Sequence, residues 1–206
     1  MSNLSNIAGR LNLAAGAHPL PPVILMTDAG RLPDPLEGAA GLPAGAAVLL
    51  RHYGSPARAR MGEALAEVCR SRRLDLIVAG DGDLARRLGA QGLHVPSWFA
   101  ARDSDLARRE VWQWRRRPGR YVTAAVHGRR EMERALALGA DALIVAPVFA
   151  TESHPAARPL GIHRLAGLVK SATAPVYALG GISAANAARL GPTGAAGIAG
   201  IGGILA

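Results

Sequence analysis

The amino-acid sequence predicts an α/β fold, a single-domain (β/α)8 TIM barrel, and two observations carry that prediction. Short, continuously apolar segments alternate with amphipathic segments along the 206 residues, as expected when helices bury both faces of parallel strands. The last two apolar segments end in glycine, at Gly180 and Gly181 and again at Gly202 and Gly203. A barrel of this class builds its phosphate site there, from the loops after strands seven and eight.

Each predicted strand is short and leads into a helical pattern or a glycine-rich turn. Ser55 is a good N-cap for a helix that runs to Arg72, and a charged helix is expected from Asp103 to Arg117. Ser183 is expected to open a helix after strand seven, whose dipole would help to attract an anion. The strands are predicted at residues 23–27, 46–50, 74–79, 93–95, 121–126, 142–146, 176–179 and within 197–203.

The two ends of the chain fall outside the regular alternation. Residues 1–22 are predicted as a helical extension and residues 23–206 as the barrel domain. The helix after strand eight is truncated, so the N-terminal helix or a neighbouring molecule is expected to cover the closing edge. The apolar pattern of the extension falls at Leu4, Ile7, Leu11 and Leu13.

Composition and charge narrow the class of protein. The formal charge is +9, from 24 basic and 15 acidic residues, but the arginines are scattered along predicted helices, so no nucleic-acid partner is expected. Cys69 is the only cysteine, which excludes an internal disulfide. There is no convincing signal peptide, and no apolar run reaches the roughly 18 residues of a membrane span. We therefore expect a cytoplasmic protein without a membrane partner.

The ends of the predicted strands place polar side chains at one mouth of the barrel, where such barrels carry their sites. His127 is the candidate catalytic residue, because an imidazole gains and loses a proton near neutral pH. Arg51 is the candidate partner of an anion. The candidate substrate-binding residues are Asp28, Arg51, His94, Thr151 and Ser153, and the candidate phosphate-binding residues are Gly180, Gly181, Gly202 and Gly203.

The polar candidates also have structural explanations. Asp28 could cap the loop that follows it, His94 could be a hydrogen-bonded packing residue, and His127 could cap the next helix. The sequence offers neither a two-carboxylate site nor zinc-type ligand spacing, so we predict no resident metal and no cofactor.

Several segments between residues 23 and 205 together resemble the thiamine phosphate synthase/TenI superfamily. The most specific combination is the loop after strand six with the Gly-Gly end of strand seven. The matching segments are 24–28, 50–51, 83–85, 93–94, 126–127, 139–141, 146–155, Gly161 and 179–182. The resemblance implies a barrel that acts on phosphorylated compounds of thiamine metabolism.

Residues that the synthases use for magnesium and pyrophosphate are replaced in this chain. At the positions of Gly80 and Phe99 the synthases carry Asp, which binds magnesium, and at Tyr53 they carry a Lys. Further synthase residues, among them pyrophosphate contacts, are replaced at Ala79, Ala125 and His154. Departure of pyrophosphate without these groups would lack charge stabilisation worth several kcal/mol.

The TenI-like thiazole tautomerase branch is similar in these places. Its members have Gly at the position of Gly80 and a Leu-Pro-Ser like residues 95–97, whereas Ala79 departs from both branches. This resemblance implies a metal-independent isomerase in which His127 moves a proton on a carboxythiazole phosphate. Arg51 is the hypothetical partner of the carboxylate.

Two alternatives stay open. One is a divergent thiamine-phosphate synthase, which would need Mg²⁺ to join pyrimidine pyrophosphate to thiazole phosphate. The other is a non-catalytic barrel that binds a phosphate ligand or acts as a regulator. In each case the expected partner is a small phosphorylated thiazole or thiamine phosphate, and the chain could form a homodimer.

Overall fold

Eight parallel strands close into a barrel in the computed structural model, which describes residues 3–32, 34–102, 104–151 and 157–204. The predicted fold class is confirmed. The strands are β1 (Val23–Met26), β2 (Ala47–Leu50), β3 (Asp75–Ala79), β4 (Gly92–Val95), β5 (Tyr121–Val126), β6 (Ala142–Val145), β7 (Val176–Leu179) and β8 (Gly197–Gly200).

Helices follow or precede these strands on the outside of the barrel. They are α1 (Asn3–Ala14), α2 (Pro35–Ala40), α3 (Arg58–Arg72), α4 (Gly82–Arg87), α5 (Ser97–Arg102), α6 (Ser104–Arg115), α7 (Arg129–Ala137), α8 (Gly161–Ser171) and a 3₁₀ helix (Ala187–Thr193). None of the helices within the described ranges combines the length and apolarity needed to cross a membrane.

Each strand pairs with the next one along the chain, and β1 closes the ring against β8 with Ile24 beside Ala199. Because all neighbours are parallel, the carboxyl ends of the strands meet at one mouth. Nearly all strand residues are buried, as the continuous apolar segments predict. The order of strands around the ring also places β4 opposite β8.

Helix α1 packs along the closing edge of the barrel. It contacts β1, β8 and the 3₁₀ helix, and it buries Leu4, Ile7, Ala8 and Leu11 there. This confirms the expectation that the N-terminal helix covers that edge. Leu13 does not belong to the packed face, because 70% of its side chain is exposed.

The start of the helix after β2 differs from its prediction. Helix α3 begins at Arg58, three residues after the expected cap. Ser55 instead accepts the Ala57 N–H at 3.3 Å and shapes the turn that leads into the helix.

Candidate active site

A cavity of about 590 Å³ opens at the mouth where the strands end. This is the place that the sequence predicts for a site. Asp28 is not among the residues that line the cavity, and Ser153 lies outside the described residues. The predicted site residues that do line it are Arg51, His94, His127, Thr151, Gly180, Gly181, Gly202 and Gly203.

The loop after β7 requires glycine at two positions. Gly180 and Gly181 have φ angles of 97° and 64°, in the left-handed region that other residues disfavour. A Cβ on Gly180 would lie 3.0 Å from Pro147, and one on Gly181 would collide with the Ala150 carbonyl oxygen. The loop after β6 therefore packs directly against this backbone, which leaves no room for a side chain.

The loops after β7 and β8 meet at the cavity and carry backbone donors there. A Cβ on Gly203 would lie 3.1 Å from the Ile182 carbonyl oxygen. Hydrogen bonds between described residues do not use the N–H groups of Gly181, Ile182, Gly202 and Gly203, which all line the cavity. We name these four residues the glycine rim. Unused N–H groups at the ends of parallel strands are suitable donors for a phosphate.

The glycine rim leads into a side-chain clamp where the sequence predicts a helix N-terminus. Asn186 Oδ1 accepts the N–H of Ser183 at 3.0 Å, and Asn186 Nδ2 donates to the Gly181 carbonyl at 2.8 Å. These bonds hold a turn, and helical structure begins only at Ala187, as a 3₁₀ helix. The predicted contribution of an α-helix dipole after β7 is therefore wrong.

His127 stands at the end of β5 with a defined tautomer. Its Nδ1 lies 2.7 Å from the Ala146 carbonyl oxygen, which can only accept, so Nδ1 carries the proton. In the neutral ring Nε2 is then the unprotonated nitrogen. The helix-cap explanation of His127 is wrong, because Gly128 is the N-cap of α7 and the His127 ring bonds to the neighbouring strand end.

His94 is a buried, neutral imidazole. Only 3% of the residue is exposed, and its Nδ1 lies 2.9 Å from the hydroxyl of Thr123 on β5. Burial lowers the pKa of the His94 imidazole to about 3, and the positive charge of Arg51 acts in the same direction. His94 therefore lines the cavity as a hydrogen-bonding and shape-determining group, and it carries no proton to donate as an imidazolium at neutral pH.

Arg51 is held in place by the end of β1. Its Nη2 lies 2.5 Å from the Asp28 carboxylate, and its Nε donates to the Thr27 carbonyl oxygen at 3.2 Å. The same carboxylate accepts the N–H of Gly30 at 3.1 Å, so the capping explanation of Asp28 also applies. Since Arg51 lines the cavity and Asp28 does not, the carboxylate orients the guanidinium from behind.

Two aromatic residues at the mouth are absent from the predicted site. Tyr53 follows β2 and Trp98 follows β4, and their rings lie 5.7 Å apart at 84°. Both line the cavity, although 45% and 49% of these residues are exposed. We name them the aromatic pair. The sequence signal for them is their place shortly after the predicted strands, beside the polar candidates Arg51 and His94.

The described residues at the mouth do not bring together carboxylates that would fit a magnesium ion. The positions that the resemblance assigns to metal-binding carboxylates hold Gly80 and Phe99. The nearby Asp81 carboxylate accepts the Leu84 N–H at 2.8 Å as the N-cap of α4, and it lies 3.7 Å from Arg58. Across the part of the chain that the structure describes, no three His, Cys, Asp or Glu side chains converge in a way that could hold a metal.

The closed ring of eight parallel strands places the protein in the TIM-barrel class, in which the loops after strands seven and eight frequently form a phosphate site. Within that class, a family model described as "Thiamine monophosphate synthase" (TMP-TENI) matches residues 34–204. The chain belongs to this family.

Named relatives and a solved structure agree with the family. The chain is 34% identical over 145 residues to a thiamine-phosphate synthase of Roseiflexus castenholzii, which covers 69% of this chain and 60% of the relative. It is 34% identical over 153 residues to one of Roseiflexus sp., covering 72% and 62%. The matched regions thus span about three fifths of these relatives. A thiamine phosphate pyrophosphorylase structure from Pyrococcus furiosus superposes with a TM-score of 0.73 at 27% identity, covering 89% of this chain and 86% of that chain.

Proposed function

We propose that this protein is a metal-independent isomerase of thiamine biosynthesis that moves a proton on a thiazole monophosphate. The observation that carries the proposal is the 2.7 Å hydrogen bond from His127 Nδ1 to the Ala146 carbonyl. This bond leaves Nε2 of the neutral ring free to accept a proton at the wall of the cavity. A base of this kind can take a proton from one atom of a bound ring and return it to another.

The glycine rim would bind the phosphate of the substrate. Four backbone N–H groups meet there, and they take part in no hydrogen bond between described residues. N–H groups at strand ends can donate hydrogen bonds to the oxygens of a phosphate. The clamp from Asn186 to Gly181 and Ser183 fixes the loop before the ligand arrives. Prior fixation lowers the entropic cost of binding.

Arg51 would orient a carboxylate on the thiazole ring. Its Nη2 is engaged by Asp28 and its Nε by Thr27, and a guanidinium has further N–H groups that can reach a ligand. In this arrangement Asp28 is a positioning residue, which acts through Arg51 and does not touch the substrate.

The proposed reaction balances without a leaving group. Nε2 of His127 removes one proton from the thiazole phosphate, and the electron pair left behind shifts within the conjugated ring system. The imidazolium then returns the proton at a second position of the same molecule. Because no pyrophosphate departs, the reaction does not need the cations and magnesium that such a departure requires.

A divergent thiamine-phosphate synthase is the second candidate. The similarity to two thiamine-phosphate synthases, at 34% identity, favours it. The residues at the mouth weigh against it, because Tyr53, Gly80 and Phe99 replace the Lys and Asp residues that the resemblance assigns to pyrophosphate and magnesium.

Turnover of carboxythiazole phosphate separates the candidates. The wild type should isomerise it in EDTA, and His127→Ala should lower the rate by about 10²- to 10⁴-fold, the range of one general acid/base. His163→Ala is the matched control, because His163 is an exposed imidazole on α8 that does not line the cavity.

A second reaction mixture adds Mg²⁺ and pyrimidine pyrophosphate. Thiamine phosphate that forms only in this mixture would contradict the isomerase and establish the synthase. If both reactions are absent while thiazole phosphate still binds, the protein is a non-catalytic phosphate-binding barrel.

The proposal also includes a cytoplasmic location and a homodimer. Cell fractionation tests the first, and light scattering of the purified chain tests the second.

A further inference from the structure

The aromatic pair forms a wall of the cavity that the proposed reaction leaves without a role. Tyr53 and Trp98 come from different strand ends, and their rings meet edge to face at 5.7 Å. Large aromatic side chains that remain about half exposed leave apolar area in contact with water. Since both residues also line the cavity, a ligand bound there would bury this exposed ring surface.

Other side chains support the aromatic pair from outside the cavity. The Phe99 ring lies 5.8 Å from Trp98, and the Arg58 guanidinium lies 5.5 Å from the centre of Tyr53. Arg58 also donates to the Ala79 carbonyl oxygen and faces Asp81 at 3.7 Å, and it does not line the cavity. Its charge is therefore used in holding Tyr53 and is not offered to a ligand.

The barrel places Trp98 across the mouth from the phosphate donors that follow β8, whereas Tyr53 follows β2, two strands away from β8. Trp98 follows β4, which lies opposite β8 in the closed ring, and Gly202 and Gly203 follow β8. A ligand that binds the glycine rim and extends across the mouth reaches the ends of β2 to β4. Met26, Ile144 and Pro96 add apolar surface to the lining of the cavity.

The charges on the aromatic side do not suit a polyphosphate. The guanidinium groups that line the cavity within the described residues are those of Arg31 and Arg51, and the Asp28 carboxylate offsets the charge of Arg51. A diphosphate carries about three negative charges near neutral pH and needs several cations or a metal to offset the loss of hydration. Tyr53 and Trp98 offer ring surface there instead.

We infer that Tyr53 and Trp98 form a stacking subsite for a planar ring, so that the cavity selects a ring-bearing monophosphate ester and rejects a diphosphate. The inference rests on the proposed function in one respect, because it takes the glycine rim as the phosphate site. It adds the residues that set specificity at the other end of the ligand.

Calorimetric titrations test the subsite with three probes: inorganic phosphate, thiazole phosphate and inorganic pyrophosphate. Trp98→Ala should weaken the binding of thiazole phosphate about 10- to 100-fold, the range of one aromatic–ring stacking contact. The affinity for inorganic phosphate should stay within about twofold of the wild type. Trp98→Phe should retain most of the affinity, because it keeps a stacking surface. Trp112→Ala is the matched control, since Trp112 is an exposed tryptophan on α6 outside the cavity.

A reciprocal variant tests the rejection of a diphosphate. Tyr53→Lys replaces a ring by a cation. It should therefore strengthen the binding of pyrophosphate and weaken the binding of thiazole phosphate, each about 10-fold. Thermal unfolding of every variant shows whether it is folded.

The results distinguish this inference from the proposed reaction. The subsite is overturned if Trp98→Ala leaves the affinity for thiazole phosphate unchanged or weakens the binding of inorganic phosphate equally. It is also overturned if the wild type binds pyrophosphate more tightly than thiazole phosphate. A wild type that binds thiazole phosphate through Trp98 but shows no isomerisation contradicts the reaction and supports the subsite.

Discussion

The two sides of the mouth recognise ligands by different means. The glycine rim uses backbone N–H groups of loops that pack so closely that no side chain fits at Gly181. The aromatic pair uses large side chains that stand half exposed at the surface. The first side depends on the path of the main chain, whereas the second depends only on which side chains follow β2 and β4.

This difference explains how one barrel can serve several reactions. Gly181 of the glycine rim packs against the loop after β6, so a substitution at this position disturbs the fold as well as ligand binding. The half-exposed residues Tyr53 and Trp98 can change with less cost to the barrel. The resemblance to the synthases accordingly holds at the glycines and fails at the aromatic side.

The largest expected effect separates two glycines of the same rim. Gly181→Ala should lower the free energy of unfolding by about 3 kcal/mol and abolish thiazole phosphate binding, because Gly181 has a φ of 64° and a Cβ would meet the Ala150 carbonyl. Gly202→Ala is the control, since no atom lies within 4 Å of its Cβ. Chemical denaturation and calorimetry measure both, and equal losses would contradict the packing argument.

The next effect concerns pH and the β4 side of the cavity. The folded pKa of His94 is about 3, below the unfolded value of about 6.5, so between these values the unfolded chain binds a proton that the folded chain does not. The contribution of His94 to the free energy of unfolding is therefore fully present above pH 6.5. It falls as the pH drops, by up to roughly 1.4 kcal/mol per pH unit.

Denaturation curves between pH 7 and pH 4.5 test this prediction. His94→Gln should flatten the dependence, whereas His163→Gln, at an exposed site, should keep the wild-type slope. The same pH dependence in wild type and His94→Gln would show that His94 is not the source of the loss of stability at low pH.

A smaller effect is expected at the charge pair that joins the ends of β1 and β2. Asp28→Asn removes the charge behind Arg51, so the KM for carboxythiazole phosphate should rise about 5- to 10-fold, equivalent to roughly 1 kcal/mol, with little change in kcat. Asp83→Asn is the control, because it breaks an exposed pair with Arg86 on α4, away from the cavity. A fall in kcat without a change in KM would contradict the positioning role.

The smallest effect is expected from removal of the hydroxyl group of the aromatic pair. Tyr53→Phe keeps the ring and removes only the hydroxyl, so thiazole phosphate should bind within about twofold of the wild type. A larger loss in calorimetry would show that the hydroxyl, and not the ring face, contacts the ligand.

Local sequence determined most of the barrel and its glycine side. Eight apolar segments with intervening helices define the strands, because parallel strands must be buried on both faces. The order of the chain then places Gly180, Gly181, His94 and His127 at strand ends, and the structure brings them to one cavity. Backbone requirements and strand ends are readable locally, which is why these residues could be predicted.

The tertiary structure alone decided how those residues are used. The burial that keeps His94 neutral, the Asp28 carboxylate behind Arg51 and the contact of Tyr53 with Trp98 each join different strand ends. The Asn186 clamp likewise replaced the helix expected after β7, because its side chain competes with helical hydrogen bonds. The contacts of His94, Arg51 and Tyr53 depend on distances between segments far apart in the chain, and no local pattern specifies them. The Asn186 clamp reaches only three and five residues back along the chain.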